Sequence, residues 1–167
     1  TMPLSLDDTT HFDFSDLKRW LKMAQDEYGF YTIVRPGPFI CAEYSGGGYP
    51  RWLAKYRPES VDDFWLRSAD ERHIRWSQHW FDAVCKAVAD EQITRKPVGD
   101  KGIILIQIEN EYNHHGCDGK EKLLKALYSS VRKSGMDIPV FTCLTNECRS
   151  SRDPELSQVF DSDNYYV

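Results

Sequence analysis

Short apolar segments rich in β-branched and aromatic residues alternate with longer stretches of helical periodicity along the whole chain, and this alternation limits the available folds. Phe30–Arg35 (FYTIVR) closes on Pro36-Gly37-Pro38, residues that cannot continue a ladder. Gly102–Glu111 (GIILIQIENE) and Pro139–Leu144 (PVFTCL) are further buried strands, and Gln158–Asp161 (QVFD) is a fourth. Between them lie amphipathic stretches. Ser15 can cap a helix over Asp16–Tyr28 whose apolar residues Leu17, Trp20, Leu21 and Ala24 follow one-face spacing, and Gly29 suits its stop. Ser68-Ala-Asp-Glu71 has capping-box spacing and opens a helix to about Ala89 with Ile74, Ser77, Phe81, Val84 and Val88 on one face. A third, over Lys120–Lys133, presents Leu123, Leu124, Leu127 and Val131 and stops at Gly135.

Helices between apolar strands imply parallel pairing, because parallel neighbours need a crossover connection. An open doubly wound sheet and a (β/α)8 barrel both satisfy that pattern. Nucleotide binding by the open sheet would favour a glycine fingerprint in a tight strand-to-helix turn, and Gly46-Gly47-Gly48 lies too far from a helix start to supply one. Polar residues gather instead at the C-terminal ends of strands, where barrels place their chemistry. The expected class is α/β, a partial (β/α)8 barrel, since a full one typically needs about 250 residues and the chain has 167. All of residues 1–167 are expected to form one piece of a single barrel domain.

Composition removes several function classes. A net charge of −5 with scattered basic residues lacks the patch that nucleic-acid binding needs. No apolar run approaches a membrane span, and TMPLSLDDTT has neither the basic start nor the apolar stretch of a signal peptide. Five cysteines, an odd set without CxxC spacing, make a disulfide framework an unsuitable basis for the fold, though one bridge is compatible with the count.

The second strand ends where its character changes abruptly, in Glu109-Asn110-Glu111. Strict alternation puts Leu105, Gln107, Glu109 and Glu111 on one side and Ile104, Ile106, Ile108 and Asn110 on the other. The isoleucine side wants a helix layer. The other becomes polar toward its end, as a barrel interior does where it opens into a wet mouth. Glu111 then points into the mouth, and Asn110 joins it only if the strand leaves regular geometry. A carboxyl group there suits proton transfer to a glycosidic oxygen, chemistry that normally uses two carboxyls and an acid whose pKa is raised by charge and desolvation. Taken alone, two glutamates at a strand end are more often surface charges on a polar rim.

RPGPFICAEYSGGGYPRWL (Arg35–Leu53) followed by GIILIQIENEY changes that balance. The two segments, in this order, resemble glycoside hydrolase family 35, the retaining β-galactosidases, whose members carry a pattern close to RPGPYICAEW…GGLPAWL and then VENEYG. The likeness runs from Phe12 to about Leu144. It implies barrel strands three to six, with Glu111 as general acid/base at the end of strand four and Asn110 bound to the sugar near its 2-hydroxyl. It also implies that Glu43 binds galactose hydroxyls and that Cys41 and Ala42 line the pocket. No cofactor is implied. The partner would be a β-galactoside or related glycan, the setting secreted, periplasmic or lysosomal rather than cytoplasmic. The family nucleophile, a glutamate ending strand seven, has no counterpart in this chain, so the remainder of the barrel would be required; Glu147 reads as a loop carboxylate rather than its deputy. Tyr44 in place of Trp, Tyr112-Asn113 in place of Tyr-Gly, and His114-His115 depart from the pattern and bear on the aglycone side.

Other residues carry competing readings. Arg35 is expected either to pair with Glu109 across neighbouring strands or to be held by backbone carbonyls after the Pro turn. Trp76 and Trp80, at helical spacing, read as core, whereas Trp52 beside the glycine loop could be a sugar platform; Trp65 is undecided. His114, His115, Cys117 and Asp118 offer zinc-type ligands but are too closely spaced to close a tetrahedron, and read as a solvated loop. Rival functions are a barrel glycosidase for glucose or glucosamine, and an inactive carbohydrate-binding half barrel.

Overall fold

The computed structural model describes residues 11–50, 66–112, 120–145 and 154–164. Its elements, in chain order, are α1 (Ser15–Lys22), β1 (Thr32–Val34), α2 (Glu71–Val88), β2 (Ile103–Gln107), α3 (Lys120–Lys133), β3 (Val140–Cys143) and β4 (Val159–Ser162). The four strands form one parallel sheet in sequential order β1-β2-β3-β4.

This order separates the two candidate architectures. Doubly wound sheets reverse strand order and carry helices on both faces. Here the order never reverses and the apolar layer lies on one face. Leu21 of α1, Phe81, Val84 and Val88 of α2, and Leu123, Leu124, Leu127 and Val131 of α3 pack on Val34, Ile106, Ile108, Val140 and Val159. Each such fully buried side chain contributes about 1.5–3 kcal/mol of apolar transfer free energy. The opposite face carries the in-register neighbours Ile33 and Leu105, then Gln107, Phe141 and Phe160. The Phe141 and Phe160 rings stack at 5.6 Å, while Ile33 and Phe160 each remain 46% exposed. An in-order parallel sheet with helices outside is part of a (β/α)8 barrel.

Local chemistry explains the element boundaries. α3 spans the residues its periodicity predicts. Asp70, rather than Ser68, is the N-cap of α2: its carboxylate accepts from Arg72 N at 2.8 Å, while Ser68 Oγ accepts from Asp70 N at 3.1 Å. Ser15 is not a cap either: it is the first helical residue of α1, after Phe14, and Asp13 Oδ1 takes its N–H at 2.9 Å. The helix begun by α1 widens over Met23–Glu27, closing with Tyr28 N to Met23 O at 3.2 Å. Its turn carries Gln25 inward, where Nε2 donates to Thr32 Oγ1 at 3.0 Å.

β2 contains an irregularity that alternation does not foresee. Thr32 is opposite Ile103 but Ile33 is opposite Leu105, so Ile104 is the extra residue of a bulge. The shift lets Ile103 join Ile106 and Ile108 in the helix-side core. Ile104, expected there, is only partly buried. At the N-terminal end of the sheet Gln92 stitches the loops together, donating from Nε2 to Ala89 O (2.8 Å) and Gly135 O (3.0 Å) and accepting from Asp137 N (2.8 Å). No helix among the described residues is long and apolar enough to cross a membrane.

Candidate active site at the C-terminal strand ends

Beyond β1 the chain makes a closed loop. Ile40 N donates to Gly47 O at 2.8 Å, Tyr44 N to Cys41 O at 2.9 Å and Gly47 N to Tyr44 O at 2.8 Å. Cys41, Ala42 and Glu43 all have positive φ, at 57°, 50° and 52°. A left-handed conformation costs an L-residue about 1–2 kcal/mol, and such strain clusters where side chains must be aimed for function. Gly47 and Gly48 are required by space as well as by φ. A Cβ on Gly47 (φ +63°) would lie 1.9 Å from the Phe39 ring. The loop leaves Ala42 and Glu43 exposed and Cys41 half-buried.

Beyond β2 the strand abandons alternation, with φ of 56° at Glu109 and 51° at Glu111. Its backbone stays anchored on both flanks: Glu109 N donates to Gly37 O at 2.8 Å, Ile108 N to Phe141 O at 2.8 Å and Glu111 N to Cys143 O at 2.9 Å. These left-handed residues swing Glu109 out of the mouth. Its carboxylate is 0% exposed and pairs with Arg67, not Arg35, at 3.1 Å. Arg67, its side chain 8% exposed, also donates to Asn110 O and stacks its guanidinium carbon 3.5 Å above the Phe39 ring. Burial, the largest influence, pushes the Glu109 pKa up; the Arg67 charge and hydrogen bonds from the amides of Asn110 and Phe39 oppose it.

The expected Arg35–Glu109 pair is therefore replaced, and its alternative, an arginine held by backbone carbonyls, is not what forms either. Arg35 Nη2 donates instead to Asn110 Oδ1 at 2.8 Å. Gln107 Nε2 reaches the same oxygen at 3.2 Å and Glu109 O at 2.6 Å. Two donors on Oδ1 fix the orientation of the amide, so its NH2 is the group left to meet a ligand oxygen. Asn110 N donates to Glu109 Oε2 at 2.9 Å. The departure from regular geometry that Asn110 needs is thus present. Glu111, half-buried, keeps access to solvent and accepts a hydrogen bond from Asn164 Nδ2 to Oε1 at 3.0 Å. Below it the buried Cys143 thiol has its pKa raised, by burial first and also by the carboxylates of Glu111 and Asp161.

The residues of β1's loop and β2's end thus share the C-terminal end of the sheet, with Arg35 linking β1 to Asn110. Cys41, Ala42, Glu43, Asn110 and Glu111 do not line the cavity of about 410 Å³ that opens beside α2, bounded by Pro36, Ile40, Tyr49, His73, Trp76 and Trp80 among others. That space is aromatic packing. Trp80 Nε1 donates to Pro36 O at 2.8 Å and its ring meets Phe12 at 5.4 Å and Phe14 at 5.7 Å. Trp76 is buried. Both tryptophans belong to the packing, as their helical spacing predicts. His73 accepts at Nε2 from Tyr49 OH (2.9 Å) and donates from Nδ1 to Ser68 O (2.8 Å), which fixes the neutral tautomer; burial lowers its pKa to about 4.

Among the described residues no group of three or more His, Cys, Asp or Glu is placed to hold a metal ion, and Cys41, Cys85 and Cys143 are free thiols. Trp52, Trp65, His114, His115, Cys117, Asp118 and Glu147 lie outside the described residues. Sequence reasoning missed Arg67, which sits in an irregular stretch 42 residues from its partner, and Asn164, which follows the last strand. The only hint of Arg67 was the unpaired charge that a buried Glu109 implies.

The chain is similar to known proteins over most of its length. The chain is 36% identical over 121 residues to a beta-galactosidase of Aspergillus niger, covering 70% of this chain and 11% of that protein. It is 32% identical over 128 residues to beta-galactosidase 17 of Arabidopsis thaliana, covering 76% and 17%. With a beta-galactosidase of Xanthomonas manihotis it shares 37% identity over 110 residues, covering 64% and 17%. The chain thus spans less than a fifth of the length of these relatives. Residues 6–167 match the family described as Glycosyl hydrolases family 35, and the chain belongs to that family.

Proposed function

We propose that the protein to which these residues contribute hydrolyses terminal non-reducing β-D-galactosides with retention of configuration, and that Glu111 is its general acid/base. The observation that carries the reading is the strand end at Asn110-Glu111. One residue, itself buried, has its side-chain oxygen clamped by Arg35 and Gln107, and the next presents a half-buried carboxyl at the end of a parallel strand. Family membership and the names of the relatives support galactose as the sugar.

In this reading Glu111 gives its proton to the departing glycosidic oxygen and later takes one from the attacking water. Asn110 binds the sugar hydroxyl beside the anomeric carbon, and Glu43, with Cys41 and Ala42, meets galactose hydroxyls from the strained loop. A retaining mechanism places a second carboxylate about 5–5.5 Å from the first. We assign that nucleophile to a strand beyond these residues, which we take as strands three to six of one catalytic barrel; the rest of the barrel is needed for turnover. The scheme uses no cofactor. By family resemblance we place the enzyme in a secreted, periplasmic or lysosomal setting.

The test is Glu111→Gln in the full-length enzyme. General acid/base catalysis is worth about 10²–10⁴-fold, so lactose turnover should fall by that factor while activated aryl galactosides suffer less. Near-normal lactose hydrolysis would refute the assignment. Aryl β-glucosides and β-glucosaminides tested beside the galactoside decide the sugar.

A further inference from the structure

Glu111 has a side-chain partner outside the motif that draws attention to it. Asn164, just past β4, donates from Nδ2 to Glu111 Oε1 at 3.0 Å. Both ends of this contact are fixed through the strand between them. Glu111 N is held by Cys143 O at 2.9 Å and Leu144 N by Ser162 O at 2.9 Å. Asp161 Oδ1 accepts from Thr142 Oγ1 (2.8 Å), Ser162 N (3.1 Å) and Thr145 N (3.3 Å), and Ser162 Oγ donates to Thr142 O at 3.0 Å. The end of β4 is therefore pinned to β3, and the residue that follows is carried over the carboxyl of Glu111.

An amide NH2 can only donate. Against a protonated carboxyl it must face the carbonyl oxygen, since the hydroxyl oxygen is the poorer acceptor. We propose that Asn164 is a positioning residue that keeps the transferable proton of Glu111 on Oε2 and aims it at the departing oxygen, an inference that rests on the role proposed above for Glu111. In the first step the Oε2–H bond breaks and the proton joins the glycosidic oxygen. That oxygen keeps the electron pair of its broken bond to the anomeric carbon, which the nucleophile carboxylate attacks. Glu111 is left as a carboxylate, with Oε1 still bonded to Asn164. In the second step water gives a proton to Oε2, its oxygen bonds to the anomeric carbon, and the nucleophile departs as carboxylate.

The test uses the full-length enzyme with Asn164→Ala, Asn164→Asp and, as control, Glu111→Gln. Among the described residues, the charge of this carboxyl acts on the Cys143 thiol, on which Arg35 and Asp161 also act. Asn164→Ala should lower kcat on lactose roughly tenfold, the worth of one hydrogen bond to a charged group. It should spare kcat/KM for 2,4-dinitrophenyl β-galactoside, which reports only the first step and whose leaving group needs no proton. Asn164→Asp puts a second carboxylate beside the first, so one proton is shared and the basic limb of the kcat/KM profile should move up by about one pH unit or more. A merely structural role would slow both substrates alike and leave the profile in place; that result, or no change at all, overturns the proposal. If Glu111→Gln itself retains lactose turnover, the acid assignment fails instead.

Discussion

Arg67→Met would expose how much the strand end depends on its buried ion pair. Methionine keeps an apolar stem against Phe39 but removes the guanidinium from a carboxylate that is 0% exposed. It also removes the donor to Asn110 O. Orphaning one member of a buried pair costs about 3–5 kcal/mol, most of it the penalty on the charge left behind. The cost should depend on pH in a definite direction. Burial already raises the Glu109 pKa, and Arg67 is the first of the influences opposing it, so its loss raises the pKa further. A carboxyl whose folded pKa is raised contributes fully below its unfolded value of 4.5, and that contribution is lost as pH rises. The deficit of Arg67→Met should therefore be smaller at pH 5 than at pH 8. Urea denaturation of wild type, Arg67→Met, Glu109→Gln and the double variant measures this. The double variant should lose less than the sum of the singles. A cost below about 1 kcal/mol, a pH-independent deficit, or strict additivity would refute the reasoning.

Two further outcomes follow from the loop and its support. Gly47→Ala should cost about 2 kcal/mol or more, because its Cβ would meet the Phe39 ring at 1.9 Å in a left-handed backbone, and thermal melts will register it unless Phe39 can leave Arg67. His73, neutral and buried, titrates near 6.5 unfolded but at about 4 folded. Its contribution is complete above 6.5 and is lost as pH falls toward 4, by up to about 3 kcal/mol at about 1.4 kcal/mol per pH unit. Denaturation curves between pH 7 and 4 should flatten in His73→Gln, and an unchanged slope would contradict the burial argument.

The fold was largely legible because its signals are periodic. α3 begins and ends where the leucine spacing and Gly135 place it, and every expected strand exists, the first three shortened at their ends and the fourth shifted by one residue. What was illegible is what breaks periodicity. The bulge at Ile104 changes the phase of β2, and the left-handed residues Glu109 and Glu111 redirect three consecutive side chains. Alternation assumes extended backbone, so it aimed Glu109 into the mouth and paired it with Arg35. Its true partner comes from an irregular segment whose path no local pattern dictates. The helix caps show the same limit on a smaller scale: Ser15 and Ser68 have the right chemistry, but the N-cap of α1 is Phe14 and that of α2 is Asp70.

The one-sided apolar layer has a bearing on how the chain matures. Every member of that layer lies between Leu21 and Val159, and nearly all are already shut off from water by one another. Collapse of these helices onto their strands can thus proceed while a nascent polypeptide is still being made, each βα unit docking on the one before it in the chain. Ile33 and Phe160, left half-uncovered on the other face, are the side chains a chaperone would meet in that interval.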